Sequence, residues 1–214
     1  MSSLKYLLSS LLLMLLVSCS STKENGGGGT ETGDPGATAE LKSGLIAGKT
    51  VLDKSANITI EDVTLWLDDN SNQKSYSREN GDFLIENLSL GEHVIYAQWK
   101  KDDIILMGKS DTFQLGIVTS HQKPFIYLGQ SIVLTEPASL IGMIANNDSS
   151  ELKLKLKNSI FQTAVMSNGS FELINVPAGS YTLEISSGNK IVYSQEVELT
   201  SSETLDLGLI TLNP

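Results

Sequence analysis

The chain has 214 residues, of which 40% are hydrophobic and 19% are charged, so it has enough apolar content for a packed core and too little charge for a wholly disordered protein. Its 25 acidic and 15 basic residues give a net charge of −10 at pH 7. Because an acidic surface repels phosphate groups, this balance disfavours nucleic-acid binding and electrostatic docking onto anionic lipid.

The N-terminus predicts an export signal that ends at the only cysteine of the chain. Lys5 precedes an apolar, leucine-rich run, Tyr6–Val17. This run is about a dozen residues long, whereas a membrane-spanning helix needs roughly 20, so it predicts a secretory signal. The sequence LVSC at 16–19 resembles the lipobox of bacterial lipoproteins. The resemblance implies a signal peptide at 1–18, with Cys19 as the acylated mature N-terminus. The alternative is an ordinary thiol within the signal.

The segment that follows predicts a flexible tether. Residues 20–43 have no hydrophobic periodicity and contain an unbroken glycine run, Gly26–Gly29. Ser20, directly after the cysteine, resembles the residue found in lipoproteins sorted to the outer membrane. We therefore expect an acylated anchor and tether at 19–43 and a location on the cell outer membrane, on its periplasmic or surface face. With a single cysteine, an internal disulfide is excluded.

An internal repeat occupies the rest of the chain. Residues 80–91 (NGDFLIENLSLG) and 168–179 (NGSFELINVPAG) follow one pattern at an offset of 88 residues (168 minus 80). The identical pairs are Asn80/Asn168, Gly81/Gly169, Phe83/Phe171, Asn87/Asn175 and Gly91/Gly179. The two copies also end with similar sequences, LGQSIVLTEP at 128–137 and LGLITLNP at 207–214. We therefore predict two domains, 44–137 and 138–214.

Both copies predict short strands rather than helices. Apolar residues alternate with polar ones at a period of two, as in LKLKL at 152–156, which is typical of half-buried strands. Asn-Gly before each Phe strand is a hairpin-turn signal. Together these features predict an all-β chain with two tandem small β-sandwich domains of about seven strands each. We find no convincing helix after the signal.

The repeated pattern N-G-x-F-x-[IL]-x-N-[LV]-x-x-G, followed by x-[YH]-x-[LI], resembles the carboxypeptidase regulatory-like domain, which has a transthyretin-like β-sandwich fold. The resemblance covers both copies. It implies that the glycines and the phenylalanine serve turns and core, and it transfers no catalytic residue. Members occur in surface lipoproteins, on enzymes and near sugar-binding domains. The first copy has His93 where the second has Tyr181.

Catalytic and metal chemistry find little support in the sequence. A zinc site needs three or four ligands, and Cys19, His93 and His121 do not supply a set. No Ser-His-Asp set and no G-x-S-x-G turn stands out. We therefore expect no enzyme, no metal and no cofactor, and we expect His93 to be a partly buried sandwich residue.

A polar segment of the first copy partly matches an EF-hand loop. Four side chains in 68–79 occupy ligand positions 1, 3, 5 and 12 of such a loop: Asp68, Asn70, Asn72 and Glu79. Gln73 stands where the sharp turn needs glycine, and strands flank the segment. A polar hairpin loop is therefore the favoured interpretation.

A basic stripe in the second copy has two interpretations. Lys153, Lys155 and Lys157 alternate with the leucines of one strand. They form either a site for an anionic ligand or a solvated face. The second interpretation includes an edge strand whose lysines prevent it from pairing with a strand of another molecule.

Two aromatic residues are the candidate ligand contacts. Trp66 alternates with Leu65 and Leu67, and Tyr96 is adjacent to Ile95, so both rings are predicted to point away from the core. Exposed rings on a β-sandwich suit sugar stacking or protein contact. The favoured alternative for Trp66 is packing under a loop or against the other domain.

The sequence therefore predicts a non-catalytic, membrane-anchored lipoprotein whose sandwich repeats act as a structural or protein-interaction module at the cell envelope. The alternative is a carbohydrate-binding surface lipoprotein that uses exposed aromatic residues. The expected partners are the membrane, through the lipid anchor, and either a polysaccharide or an envelope protein, with no nucleic acid.

Overall fold

A computed structural model describes residues 43–52, 61–116, 124–145 and 151–212. These residues hold strands, turns and no helix, which confirms the predicted all-β class. The signal, Cys19, the tether and His121 lie outside the described residues. One compact unit, residues 39–214, includes both copies of the repeat.

The first copy has ten strands within its described residues. They are β1 (Gly44–Leu52), β2 (Thr64–Leu67), β3 (Asn70–Tyr76), β4 (Asp82–Leu88), β5 (Gly91–His93), β6 (Ile95–Lys101), β7 (Ile104–Lys109), β8 (Phe113–Leu115), β9 (Phe125–Tyr127) and β10 (Ile132–Leu134). The second copy has seven in its described part. They are β11 (Ala138–Ala145), β12 (Leu152–Leu156), β13 (Gln162–Ala164), β14 (Ser170–Val176), β15 (Gly179–Ser187), β16 (Lys190–Leu199) and β17 (Thr204–Thr211).

The two copies share one sheet topology. In the first, a sheet of order β10-β1-β4, with β9 also beside β1, accompanies a sheet of order β3-β2-β6-β7, and β5 pairs with β8 in a further two-stranded sheet. In the second, the orders are β14-β11-β17 and β13-β12-β15-β16. The opening strand pairs in parallel with a closing strand in both copies, β1 with β10 and β11 with β17. The duplication therefore extends from the sequence to the strand order, and the predicted tandem sandwiches are confirmed. The described residues of the first copy form ten strands, more than the predicted seven or so, whereas those of the second form seven.

Each sandwich has its own core, built from the alternate residues that point inward. The first core includes Ile46, Leu65, Ile85 and Ile95, all buried. The second core is built mainly from residues of the second copy, among them Leu140, Leu154, Leu173, Leu183 and Ile185. Each fully buried aliphatic side chain contributes about 1.5–3 kcal/mol relative to its exposed state.

Strand β3 corrects the prediction of a polar loop over 68–79. Only Asp68 and Asp69 form the turn of the hairpin, in which Leu67 pairs with Asn70, and Asp68 has a φ of 50°. The following polar residues continue as β3, the outer strand of its sheet. An outer strand with solvated side chains needs no apolar alternation, so the sequence pattern did not reveal it.

The repeated glycines occupy positions that need them. Gly81 and Gly169, of the two Asn-Gly turns, have φ values of 82° and 85°. The preceding side chains close the turns, since Asn80 Oδ1 accepts the Asp82 N–H at 3.1 Å and Asn168 Oδ1 accepts the Ser170 N–H at 3.0 Å. Asn-Gly therefore forms a turn as predicted, but the prediction of a hairpin is wrong, because the strands that each turn joins, β3 to β4 and β13 to β14, lie in different sheets.

A second glycine in each copy makes room for the repeated phenylalanine. Gly48 pairs across the sheet with Phe83, and Gly142 pairs with Phe171. A Cβ atom at Gly48 would lie 2.6 Å from the Phe83 ring, and one at Gly142 would lie 2.4 Å from the Phe171 ring. Each phenylalanine therefore covers a glycine of the opening strand and fills the core beside it.

Replacing the covered glycine tests this arrangement. We expect Gly142→Ala to lower the free energy of unfolding by about 1–3 kcal/mol, because the new methyl group overpacks a buried ring. Urea unfolding of the full chain measures the loss. Gly116→Ala is the matched control, since a Cβ atom there meets no other atom within 4 Å. Equal losses in the two variants would contradict the packing role of Gly142.

Candidate functional site at the junction of the two sandwiches

Strands β2 and β6 are buried on both faces. Leu65 and Ala97 point into the first core, whereas Trp66 and Tyr96 point the other way and belong to the second core. Trp66 is 5% exposed and Tyr96 is 2% exposed. The predicted exposure of both rings is therefore wrong, because the second copy covers this face. The alternative that was favoured for Trp66, packing against the other domain, is what the structure shows.

An aromatic cluster forms the centre of the junction. The ring centroids of Trp66 and Tyr96 lie 6.1 Å apart with an interplanar angle of 20°. Phe161, from the turn after β12, meets Tyr96 edge to face at 5.4 Å and lies 6.4 Å from Trp66. Such pairs contribute about 0.5–1.5 kcal/mol each beyond the burial of their area. The cluster thus joins one sheet of the first sandwich to a turn of the second.

Polar contacts border this cluster. Tyr96 Oη donates to the backbone oxygen of Asn158 at 3.2 Å. Lys109 Nζ donates to the backbone oxygen of Ser180 at 3.0 Å and lies 4.6 Å from the ring centroid of Tyr181. All three contacts link side chains of one copy to groups of the other, so they fix the orientation of the two sandwiches as well as their contact.

Burial changes the acid–base behaviour of these groups. It raises the pKa of Tyr96, and the nearby charge of Asp68 raises it further. Burial also raises the pKa of Tyr181, and it lowers the pKa of Lys109 against the opposing effect of Glu198. The two phenols therefore stay protonated and serve as hydrogen-bond donors.

Burial of the Trp66 indole N–H has a cost in folding free energy. Its Nε1 is buried and has no hydrogen-bond partner. A buried donor left unpaired costs about 1–3 kcal/mol. The indole ring therefore contributes at this position through its size and its stacking, not through a hydrogen bond.

Each copy contains the same corner before its central strand. In the second copy, Tyr181 Oη donates to the backbone oxygen of Pro177, four residues earlier, at 2.8 Å. In the first copy, His93 Nε2 contacts the backbone oxygen of Ser89, also four residues earlier, at 2.9 Å. His93 is buried, as predicted. The histidine therefore replaces the tyrosine in contact as well as in sequence.

His93 makes a second contact that Tyr181 lacks. Its Nδ1 lies 2.6 Å from Asp68 Oδ2, and the other oxygen of Asp68 accepts the Val94 N–H at 2.8 Å. A backbone oxygen only accepts, so Nε2 carries a proton toward Ser89. Both ring nitrogens of His93 therefore have a hydrogen-bond partner, and the Asp68 contact joins the corner of the first copy to the β2–β3 turn.

The lysine stripe is not an edge strand. Strand β12 lies between β13 and β15, so it is not at the edge of its sheet. The interpretation that the lysines protect an edge strand from pairing is therefore wrong. Lys155 Nζ lies 3.3 Å from Asp69 Oδ2 of the first copy, and Lys155 pairs across the sheet with Glu184. Lys153 and Lys157 are exposed. Acidic neighbours reduce the positive field that an anionic ligand would need.

The residues that match EF-hand ligand positions lie along the β2–β3 hairpin and the residues after it. Asn70 and Asn72 lie in β3, and Asn70 Oδ1 accepts the N–H groups of Asn72 and Gln73. Within the described ranges, no three His, Cys, Asp or Glu side chains are grouped as metal ligands would be.

The exposed aromatic residues are not the predicted ones. Tyr76, at the end of β3, is 60% exposed, and Phe125 and Tyr127, on β9, are 60% and 64% exposed. Ile126 lies between them and packs against the first core. The period-two alternation of Phe-Ile-Tyr was the available signal, but this segment is only three residues long. Short strands give too little pattern to assign a face.

The chain was compared with known proteins. No protein-family model matches it, and no curated protein is similar to it. Among solved structures, the TIE protein of Bacillus anthracis aligns at 12% identity over 80% of this chain and 34% of that protein, with a TM-score of 0.31. The minor pilin GBS52 of Streptococcus agalactiae aligns at 12% identity over 80% of this chain and 97% of that one, with a TM-score of 0.33. The fimbrial anchor protein Mfa2 of Porphyromonas gingivalis aligns at 9% identity over 73% and 83%, with a TM-score of 0.32.

These similarities are too weak to transfer a function. The chain spans only about a third of the Bacillus anthracis protein. Across the described ranges, no helix has the length and apolar character that crossing a bilayer requires.

Two substitutions at Trp66 separate ring packing from the indole N–H. We expect Trp66→Ala to lower the free energy of unfolding by about 3–5 kcal/mol, because it leaves a cavity between the two copies. Trp66→Phe should lose less than half as much, since it keeps a ring and removes the unpaired donor. Urea unfolding of the full chain measures both. Equal losses would show that ring packing does not hold this junction.

A second prediction concerns alkaline pH. The unfolded chain ionises its tyrosines near pH 10, whereas folded Tyr96 keeps its proton above that value. The contribution of Tyr96 to the free energy of unfolding is therefore complete below about pH 10 and falls as the pH rises further. Urea unfolding between pH 8.5 and 11 should show a smaller fall for Tyr96→Phe than for the original chain. An identical fall would contradict the burial of this phenol.

Proposed function

We propose that the protein is a bacterial lipoprotein of the cell envelope, without catalytic activity, whose two sandwiches form one rigid structural or protein-interaction module. The single observation that carries this proposal is the junction. Trp66 and Tyr96 of the first copy belong to the core of the second. Two domains that share a core in this way behave as one body, as a spacer or a presenting module requires.

The anchor comes from the sequence. The lipobox-like LVSC and the glycine-rich residues after it favour acylation of Cys19 and a tether between the membrane and the sandwiches. By the random-coil relation, a tether of about 24 residues has a root-mean-square span on the order of 25–30 Å. One acyl chain binds a membrane only weakly, so durable anchoring needs more than one.

The sandwiches support the resemblance to carboxypeptidase regulatory-like domains. The glycines and phenylalanine of the shared pattern serve turns and core in both copies, as that resemblance implies. None of these roles is chemical. Residues with structural roles alone support an accessory module rather than an enzyme.

The proposed location is the outer membrane, on its periplasmic or surface face. Ser20 supports this location over retention in the inner membrane. The partners would be the membrane, through the anchor, and an envelope protein held by the sandwiches. The alternative function, carbohydrate binding, loses Trp66 and Tyr96 as contact residues because both are buried.

Acylation tests the anchor directly. In cells grown with radiolabelled palmitate, the full chain should take up label and sediment with the membranes. Cys19→Ser should do neither as a mature protein, because the chain has no second thiol. In the same fractionation, Ser20→Asp should keep the label and move the protein to the inner membrane. Label on the Cys19→Ser protein would overturn the proposed anchor, and an unmoved Ser20→Asp protein would overturn the sorting.

A further inference from the structure

One sheet of the first sandwich exposes an aromatic face. Ile46 and Ile126 point inward to the first core, so their neighbours Leu45, Phe125 and Tyr127 point outward. More than half of each aromatic side chain is in contact with solvent. This face belongs to the sheet of β9, β1 and β4, opposite in the sandwich to the sheet that meets the second copy.

The register of these strands shapes a shallow trough. Ala47 of β1 pairs with Tyr127 on one side and with Leu84 on the other. Since neighbouring strands are about 4.8 Å apart, the two larger side chains flank the alanine at a separation of about 10 Å. Leu84 is 40% exposed. We call this feature, with Phe125 in the next row, the β9 trough.

Polar groups lie at both ends of the β9 trough. Lys49 follows Ala47 on the same face of β1 and pairs with Asp82 of β4. In the row of Phe125, Leu45 pairs with Glu86, which is exposed. An apolar floor with a few polar groups at its ends is the usual composition of a small-ligand site.

The size of the trough limits its occupant. At their exposures of 60% and 64%, Phe125 and Tyr127 offer roughly 90–160 Å² each. A stable contact with another protein, or with a second copy of this chain, needs about 800 Å² from each partner. The aromatic pair alone supplies less than half of that area, and it suits a ligand that needs only one or two ring contacts.

The chemistry of the trough limits the occupant further. The face of an aromatic ring is electronegative and attracts weakly positive hydrogens, such as the axial C–H groups on the flat side of a sugar ring. Hydroxyl groups of successive sugars along a chain would lie near Lys49 and Asp82 at one end of the trough and near Glu86 at the other, and these side chains both donate and accept. With two acidic groups and one basic group at the trough and a net charge of −10 overall, an anionic polymer is disfavoured.

We propose that the β9 trough binds the sugar rings of a neutral polysaccharide, with Phe125 and Tyr127 as the stacking residues. This site goes beyond the structural role of the module and does not depend on the acyl anchor. It also replaces the ligand contacts predicted from sequence, Trp66 and Tyr96, with residues that solvent reaches.

The second sandwich supplies an internal comparison. The equivalent face of its β14-β11-β17 sheet exposes apolar side chains too, but these are not aromatic: Met143, Ile174 and Leu209. Without an aromatic ring this face lacks the electronegative surface that sugar stacking uses. Leu209, at 65% exposure, is therefore a matched control position.

Native electrophoresis of the detergent-solubilised full chain tests the proposal. The gels contain hydroxyethyl cellulose, galactomannan or amylopectin, and a gel without polysaccharide is the reference. We expect retardation in at least one of the three. Tyr127→Ala and Phe125→Ala should each weaken the apparent affinity roughly tenfold or more, the size of effect expected for the loss of one stacking ring. Leu209→Ala should bind as the original chain does.

The outcomes are decisive because the substituted residues are exposed and their loss should leave the melting temperature unchanged. Retardation that only the trough variants lose supports the site. Absence of retardation in all three polysaccharides, or equal retardation of every variant, overturns it. If Tyr127→Ala instead abolishes self-association in size-exclusion chromatography and leaves retardation unchanged, the trough is a contact between copies and the proposal fails.

Discussion

Burial of β2 and β6 on both faces is the constraint on which the rest of the molecule depends. One face of each strand completes the first core, and the other places Trp66 and Tyr96 in the second. Removing the second copy would expose both rings and leave the first sandwich with an apolar surface. The two copies therefore have unequal roles. The first supplies a sheet face to the junction, and the second supplies a turn, with Phe161, and a corner, with Tyr181.

Much of the fold follows from the sequence because its signals are local. The spacing of Asn-Gly and Phe in each copy predicts the turn and the strand after it, and both occur. The polar strand β3 could not be predicted, since a solvated outer strand needs no apolar period. Sequence similarity alone also predicts strand register poorly. Aligning the Leu-Ile pairs of β1 and β11 by sequence would make Ile46 equivalent to Ile141. The pairing with β4 and β14 instead makes Ile46 equivalent to Leu140, one residue earlier.

The candidate site was harder to predict because it depends on contacts between distant residues. Alternation correctly places Trp66 on the face opposite Leu65, but it cannot show that another domain covers that face. The partner of His93 was equally hidden. Asp68 precedes it by 25 residues and lies in the β2–β3 turn, which packs beside His93 in the folded chain. Sequence periodicity therefore gives the direction of a side chain within its own sheet, whereas its environment is set by tertiary packing.

The parallel pairing of opening and closing strands has a mechanical consequence. In each sandwich the first strand and a last strand run side by side, β1 with β10 and β11 with β17. A force that pulls the start of one strand away from the end of the other acts along the strands, so it loads their hydrogen bonds in shear and all at once. Separation by unzipping, one bond after another, is not available in this geometry. Each sandwich is thus built to resist stretching between its opening and closing strands.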